Sequence, residues 1–250
     1  MSKGPLNSDP FCSKHGIYAR FVKRILDLLI ALTGIAVLSP LFIILIISGA
    51  VGMRGNPFFV QPRPGKKDSS TGRERIFNLI KFRTMSNKKD KNVNLLPDAE
   101  RLNPYGRFLR KTSLDELPQL FNVVSGTYSL VGPRPMLVRD MVFMSDEVRQ
   151  RHNVSPGITG LAQVNGRNSI SWEEKFTFDL EYVRSGVTIS GDFKILLKTI
   201  VQVFKPGDVN REGTESDMDY GDWLLLNGKV TKEEYDQKQR EAEAILKEVN

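Results

Sequence analysis

The chain has 250 residues, with 36 Lys and Arg against 29 Asp and Glu, a net charge of +7, one cysteine and two histidines. A single cysteine, Cys12, excludes an internal disulfide framework and a cysteine-built zinc site, and His15 and His152 are too few and too scattered for a histidine-built metal site. Catalysis would have to rest on carboxylates, Arg and Lys; the positive balance suits an anionic membrane surface or a phosphate-rich ligand, and no RNP-like aromatic strand, zinc finger or long lysine run points to nucleic acid.

Behind a polar N-terminal tail lies an apolar run from Ile25 to Met53, longer than the ~20 residues that span ~30 Å of hydrocarbon. Arg20, Lys23 and Arg24 precede it, and Arg54, Arg63, Lys66 and Lys67 follow it. Positive charge marks the cytoplasmic side of a membrane, so both ends ask for the same side. Near the middle, Pro40 lacks an N–H and clashes with the carbonyl four residues back, while Ser39 offers a partner for a freed backbone group. Charge and proline alone leave three readings open: a re-entrant helix hinged at Ser39 and Pro40, a tilted single span with a kink, or a buried helix of a soluble core. The length of the run and its polar leader argue against a cleaved signal peptide. Asp27 reads as an interfacial charge paired along the helix with Lys23 or Arg24.

Residues 54–75 read as a Pro/Gly/basic connector leading into a strand over 75–82, and residues 86–98 as a polar loop. Apolar residues recur at helical spacing over 101–111, 114–124 and 192–204, the last opposing Phe193, Leu196, Leu197, Ile200, Val201 and Phe204 to Lys194 and Lys198. Such faces either form the core or lie in a membrane interface. Thr231-Lys232-Glu233-Glu234 has the spacing of a capping box and opens a charged helix that runs to Val249.

Chemistry concentrates between residues 81 and 184. Arg110-Lys111-Thr112-Ser113-Leu114-Asp115-Glu116-Leu117-Pro118 places two adjacent carboxylates behind two bases, and Ser113 to Glu116 also has capping-box spacing, so the acidic pair reads either as a helix cap or as chemistry. Val131-Gly132-Pro133-Arg134-Pro135 locks an arginine between two prolines, which limits where its guanidinium points and suits recognition of a phosphate or carboxylate. Pro156-Gly157-Ile158-Thr159-Gly160 with Gln163-Val164-Asn165-Gly166-Arg167 is a glycine-punctuated loop with amide, hydroxyl and guanidinium donors.

Taken in order, and together with Lys23-Arg24-Ile25-Leu26-Asp27 and Lys81-Phe82-Arg83-Thr84-Met85, these segments resemble the bacterial sugar transferase family, the small monotopic polyprenyl-phosphate phosphoglycosyl transferases, from about Arg20 to about Gly213. The resemblance implies a re-entrant helix hinged at Ser39-Pro40, a catalytic domain on the cytoplasmic face of the bacterial inner membrane, and magnesium as cofactor. It also implies a two-step reaction, in which a carboxylate attacks the β-phosphorus of a UDP-sugar, UMP leaves, and the sugar phosphate passes to a polyprenyl phosphate such as undecaprenyl phosphate. Asp115 matches the nucleophile, also the candidate metal ligand, and Glu116 the second member of its acidic dyad, with a role in Mg²⁺ or proton handling during attack by the lipid phosphate. Arg134 matches the element associated with the nucleotide, and Asp179 a downstream carboxylate that orients basic partners. Arg110 is a candidate for phosphate stabilisation, with Lys81 and Arg83 ranked below it, and Gln163 and Arg167 are candidate contacts to uridine or phosphate.

The expected fold is α+β and mainly helical, a monotopic membrane protein with an N-terminal tail (1–19), a re-entrant helix (20–53), a catalytic domain (54–213) and a C-terminal extension (214–250) without assigned function. The chain lacks the multi-helix N-terminal region of larger family members and reads as a stand-alone catalytic unit. Alternatives from other classes are a noncatalytic scaffold that recruits glycan-assembly enzymes through its extension, and a membrane-tethered nucleotide-sugar hydrolase. Downstream glycosyltransferases or a second copy of the chain are the further partners considered.

Overall fold

The computed structural model describes residues 16–88, 90, 96–166, 170–203 and 218–249. A π-helical turn, Tyr18–Val22, leads into the long helix α1, Lys23–Met53. The strands β1, Phe58–Lys67, and β2, Glu74–Phe82, form an antiparallel hairpin. Then come α2 (Asp98–Arg101), α3 (Pro104–Thr112), a 3₁₀ turn at Leu114–Glu116, α4 (Gln119–Ser125), β3 (Ser129–Val131) and α5 (Val138–Met141). A second 3₁₀ segment, Val148–Asn153, precedes β4 (Gly157–Thr159), α6 (Leu161–Val164), α7 (Trp172–Arg184), α8 (Ile189–Val203), α9 (Tyr220–Leu226) and α10 (Lys232–Val249). The described chain is mostly helical with two small sheets, as the sequence predicts in outline.

α1 is long and apolar enough to cross a membrane, and its outward residues Ile25, Leu29, Val37, Ile43, Ile44, Ile47 and Val51 are exposed. It runs without interruption through Pro40, where Ser39 Oγ donates to the Ala36 carbonyl at 2.8 Å. The same folded domain holds α1 at both ends. Near its start, Arg24 donates to the carbonyls of Val123 and Val124 in the last turn of α4, the first of which also accepts from the Gly126 amide at 3.1 Å. Near its end, Asn103 Nδ2 donates to the Gly52 carbonyl at 3.0 Å, and the Tyr105 hydroxyl donates to the Leu45 carbonyl at 2.8 Å. Two apolar clusters lie along the helix, one joining Ala31 to Phe77, Leu79, Val123 and Leu130, the other joining Phe42 and Leu45 to Phe82 and Leu109.

Asp27 does not pair with Lys23 or Arg24 as expected. It is buried, accepts from Ser129 Oγ at 2.7 Å and from the Leu130 amide at 3.4 Å, and so ties α1 to β3. Lys23 instead reaches buried Asp192 at 2.6 Å, which also accepts from Tyr18 and Tyr182. A buried carboxylate needs such partners, and helical spacing alone does not reveal a competitor 102 residues away.

The connector expected over 54–75 is a strand for much of its length. Pro62 and Pro64 lie within β1, opposite Asn78 and Ile76 of β2, tolerated because among the described residues β1 pairs with no strand other than β2. On the far side of β2, buried Asn122 of α4 imitates a third strand: its Oδ1 accepts from the Ile80 amide at 3.0 Å and its Nδ2 donates to the Asn78 carbonyl at 2.7 Å. That contact places α4 against the end of β2 that carries Lys81.

The helix expected over 114–124 is divided by Pro118 into the 3₁₀ turn and α4. In α8 the apolar residues Phe193, Leu197, Ile200 and Val201 are exposed, while Asp192 and Ile195 are buried. This apolar face, flanked by Lys194 and Lys198, is turned outward and is not part of the core; Phe204 lies outside the described residues. The extension packs on α5, with Ala242, Ile245 and Leu246 of α10 against Val138, Met141 and Val142. Arg139 meets Asp219, Asp222 and Tyr235. The helix expected from Thr231 forms as read, Thr231 Oγ1 accepting from the Glu234 amide at 3.1 Å. The boundary expected at 213/214 lies outside the described residues.

β3 and β4 pair in parallel, Ser129 opposite Gly157 and Val131 opposite Thr159. A Cβ on Gly157 would lie 2.1 Å from the Gly132 amide nitrogen and 2.6 Å from the Val131 carbonyl carbon, both backbone atoms. Gly157→Ala is therefore expected to destabilise the fold by about 3 kcal/mol, read as a lowered midpoint in thermal unfolding followed by circular dichroism.

Candidate active site

Four elements converge on the acidic pair: the end of β2 supplies Lys81, α3 supplies Arg110, the 3₁₀ turn supplies Asp115 and Glu116, and the loop after β3 supplies Arg134. The turn begins at Ser113, which has φ 56° in the left-handed region and makes no side-chain cap. The capping alternative for Glu116 is thus not realised. Its side chain reaches across the domain, Oε1 accepting from Lys81 Nζ at 3.1 Å and from Arg134 at 2.5 Å, and Oε2 lying 3.5 Å from the second Arg134 nitrogen.

Asp115 is different from its neighbour. Its carboxylate makes no hydrogen bond or ion pair among the described residues, and burial followed by the negative charge of Glu116 pushes its pKa up to about 6, against the pull of Lys81, Arg134 and Arg110. Glu116 feels burial too, but Arg134 and Lys81 hold it well below the usual carboxylate range. Two adjacent carboxyls are thereby driven apart in proton affinity, the pattern by which acid and base roles are divided. Burial pushes the Lys81 ammonium down from its ordinary value, with Glu116 opposing.

Arg134 is held by its backbone. The Gly132 amide donates to the Thr159 carbonyl at 2.8 Å, the Gly157 amide to the Pro133 carbonyl at 3.1 Å, and Arg63 Nη1 to the Pro135 carbonyl at 3.2 Å. Arg151, buried, donates from Nη2 to the Arg134 carbonyl at 2.7 Å and from Nε to Asp179 Oδ2 at 3.0 Å. Asp179 therefore touches Arg151 and stands one residue removed from Arg134. Arg110 donates from Nε to Thr84 Oγ1 at 3.1 Å, and its charge reaches Asp115.

Not every expected residue joins this cluster. The Arg83 side chain forms no hydrogen bond or ion pair among the described residues. Gln163 folds back on β4, its Nε2 lying 3.5 Å from the Ile158 carbonyl. Arg167 lies outside the described residues. Sequence reasoning passed over Arg63, placed in the connector, and Arg151, for which no local motif offered a signal.

Magnesium suits the donor set. No group of three His, Cys, Asp or Glu gathers among the described residues, and Mg²⁺ takes one or two carboxylates and completes its shell with waters and substrate phosphates. Of the acidic pair, Asp115 is the carboxylate that would be available to such an ion.

This geometry lies inside a recognisable sequence family. Residues 18–206 match the bacterial sugar transferase family. The chain is 43% identical over 182 residues to an uncharacterised sugar transferase, EpsL, of Bacillus subtilis, covering 73% of this chain and 87% of that protein. It is 36% identical over 205 residues to the undecaprenyl-phosphate galactose phosphotransferase of Salmonella typhimurium, covering 75% of this chain and 41% of the relative. It is 34% identical over 197 residues to the UDP-glucose:undecaprenyl-phosphate glucose-1-phosphate transferase of Xanthomonas campestris, covering 74% and 39% respectively. The chain thus spans most of the Bacillus protein and about two-fifths of the other two. It belongs to the bacterial sugar transferase family.

Proposed function

We propose that this protein transfers a sugar phosphate from a UDP-sugar to a polyprenyl phosphate such as undecaprenyl phosphate, the opening step of a membrane glycoconjugate, through an aspartyl intermediate. The observation that carries this reading is the asymmetry of the acidic pair: Glu116 is engaged by two cations, while Asp115 beside it has no hydrogen bond or ion pair among the described residues. In the first half, an Asp115 carboxylate oxygen bonds to the sugar-bearing phosphorus. The bond from that phosphorus to the bridging oxygen breaks, and UMP leaves with the electron pair on that oxygen. In the second half, an oxygen of the polyprenyl phosphate bonds to the same phosphorus and the carboxylate of Asp115 is released. Lys81, Arg110 and Arg134 offset the negative charge that an anionic nucleophile meets on a diphosphate, and Glu116 orients two of them. Magnesium, held through Asp115, would add a Lewis acid on the phosphoryl oxygens.

The catalytic face is cytoplasmic and α1 re-enters in this reading. Helix α1 has 31 residues, about 46 Å of rise if straight, yet one folded domain contacts both of its ends, which supports ends on the same side of a bilayer. Gly16 and Gly55 have open space at the Cβ position, so single cysteines there, with Cys12 replaced by Ser, are tolerated reporters. Both are expected to react with a membrane-impermeant maleimide only after the inner membrane is opened. Labelling of the two from opposite compartments rules out re-entry.

The reaction is tested with the purified protein in detergent or nanodiscs, a panel of UDP-sugars, magnesium and polyprenyl phosphate, scored by UMP release and by the mass of the protein. The expected result is lipid-dependent turnover with one donor, and a mass increase equal to one sugar phosphate on Asp115 when lipid is withheld. Full turnover without lipid identifies a hydrolase instead, and no turnover with any donor defeats the assignment.

A further inference from the structure

A small pocket adjoins the acidic pair, lined by Arg63, Lys81, Gln119, Tyr128 and Arg134 among others. Lys81 and Arg134 border both places; Arg63, Gln119 and Tyr128 have no part in the chemistry assigned to Asp115. Gln119 is 0% exposed, yet neither its amide nitrogen nor its amide oxygen has a partner. Nε of Arg63 is likewise buried and unpartnered. The rest of that guanidinium is held in place by the Pro135 carbonyl and by Gln61 Oε1 at 2.6 Å, and no carboxylate pairs with it among the described residues. Burial and the charge of Arg134 push the Arg63 pKa down only to about 10, so the group stays cationic.

A buried amide without partners costs about 1–3 kcal/mol, and of the three cations bordering the space Glu116 pairs with Lys81 and Arg134 but not with Arg63, so the unliganded pocket is a poor environment for its own lining. A ligand that offsets both must be anionic and accept hydrogen bonds. The space is that of a few atoms, too little for a nucleobase or sugar ring. Phosphoryl oxygens meet these demands, and guanidinium and amide donors are their usual partners.

We propose that Arg63, Gln119 and Tyr128 form a second phosphate subsite, which takes the phosphate that Asp115 does not attack. This rests on the transferase reading. Two phosphates have that chemistry: the one that departs on UMP and the one carried by the polyprenyl acceptor.

Equilibrium binding of UMP, uridine and polyprenyl phosphate to the full-length wild-type protein and to Arg63→Gln and Gln119→Leu distinguishes them. If the site serves the leaving group, UMP affinity falls tenfold or more in both variants while uridine affinity is unchanged. If it serves the acceptor, polyprenyl phosphate affinity falls by that amount and UMP affinity holds. Unchanged affinity for both phosphates overturns the subsite while leaving the transferase reading intact; wild-type protein that binds neither removes both. Gln119→Leu supplies an independent readout, because removing an unpartnered buried amide is expected to raise the thermal midpoint of the ligand-free protein. A lowered midpoint would mark Gln119 as structural and overturn its part in the subsite.

Discussion

Asp115→Asn is expected to lower kcat on the order of 10⁴-fold or more, the scale set by loss of a nucleophile, and to abolish the protein-bound sugar phosphate. The asparagine keeps the shape of the side chain and removes the attacking oxygen's charge. Stability is expected to move the other way. The native carboxyl, with its pKa raised to about 6, binds more protons than the unfolded one, whose pKa lies near 4. Stability is thus greatest below pH 4 as far as this group is concerned, and is lost as pH rises from about 4 to about 6. At pH 7 the wild type bears that cost and the asparagine variant does not, so its thermal midpoint should be equal or higher. The same shift predicts that kcat/KM at fixed metal concentration falls below pH about 6, as the nucleophile becomes protonated. A variant that keeps full turnover would remove Asp115 from the reaction.

Arg151→Met is expected to cost about 3–5 kcal/mol, because it leaves the Asp179 carboxylate buried without its cation; the two side chains are 1% and 2% exposed. For a domain of this size that is about 10 °C in thermal midpoint. The double variant Arg151→Met with Asp179→Leu is expected to regain most of the stability, since two packed apolar groups replace a desolvated pair. It should not regain activity. The donor to the Arg134 carbonyl is missing in both, so the guanidinium that meets Glu116 is less well placed, and kcat should stay at least tenfold down after the fold has recovered. Recovery of activity together with stability would show that the Arg151 bond to Arg134 does not position the site.

Features coded by short-range pattern were legible in the sequence. The apolar run gave α1, the capping pattern at Thr231 gave α10, and the strand expected over 75–82 lies within β2 at Glu74–Phe82. The acidic pair and the proline-flanked arginine were found for the same reason, and the fold brings Lys81, Arg110, Asp115, Glu116 and Arg134 into one place. What the sequence hid was held by long-range partners. β1 contains two prolines, which argue against a strand until it is known that only one side of it is paired. Asp27 sits near Lys23 and Arg24 in sequence but bonds to Ser129 and Leu130. Ser113 and Glu116 have the spacing of a cap, yet cations from β2 and the loop after β3 draw the glutamate away. Gln119 falls inside the helix expected over 114–124 and carries no signal of its own there; only the fold shows its amide sealed beside three cations.

The bonds from Arg24 to α4 and from Asp27 to β3 join the long helix to the element that follows the reactive turn and to the strand that leads into the Arg134 loop. Whatever depth that helix takes in a bilayer is passed on unaltered to Asp115. If that helix seats in a bilayer and the proposed transfer holds, the lipid surface is the zero mark of a ruler: an acceptor would be used if its head group can climb to a set height, and the length of hydrocarbon left below would matter little. Lipids with short tails should serve nearly as well as long ones, provided they are dissolved in the same leaflet.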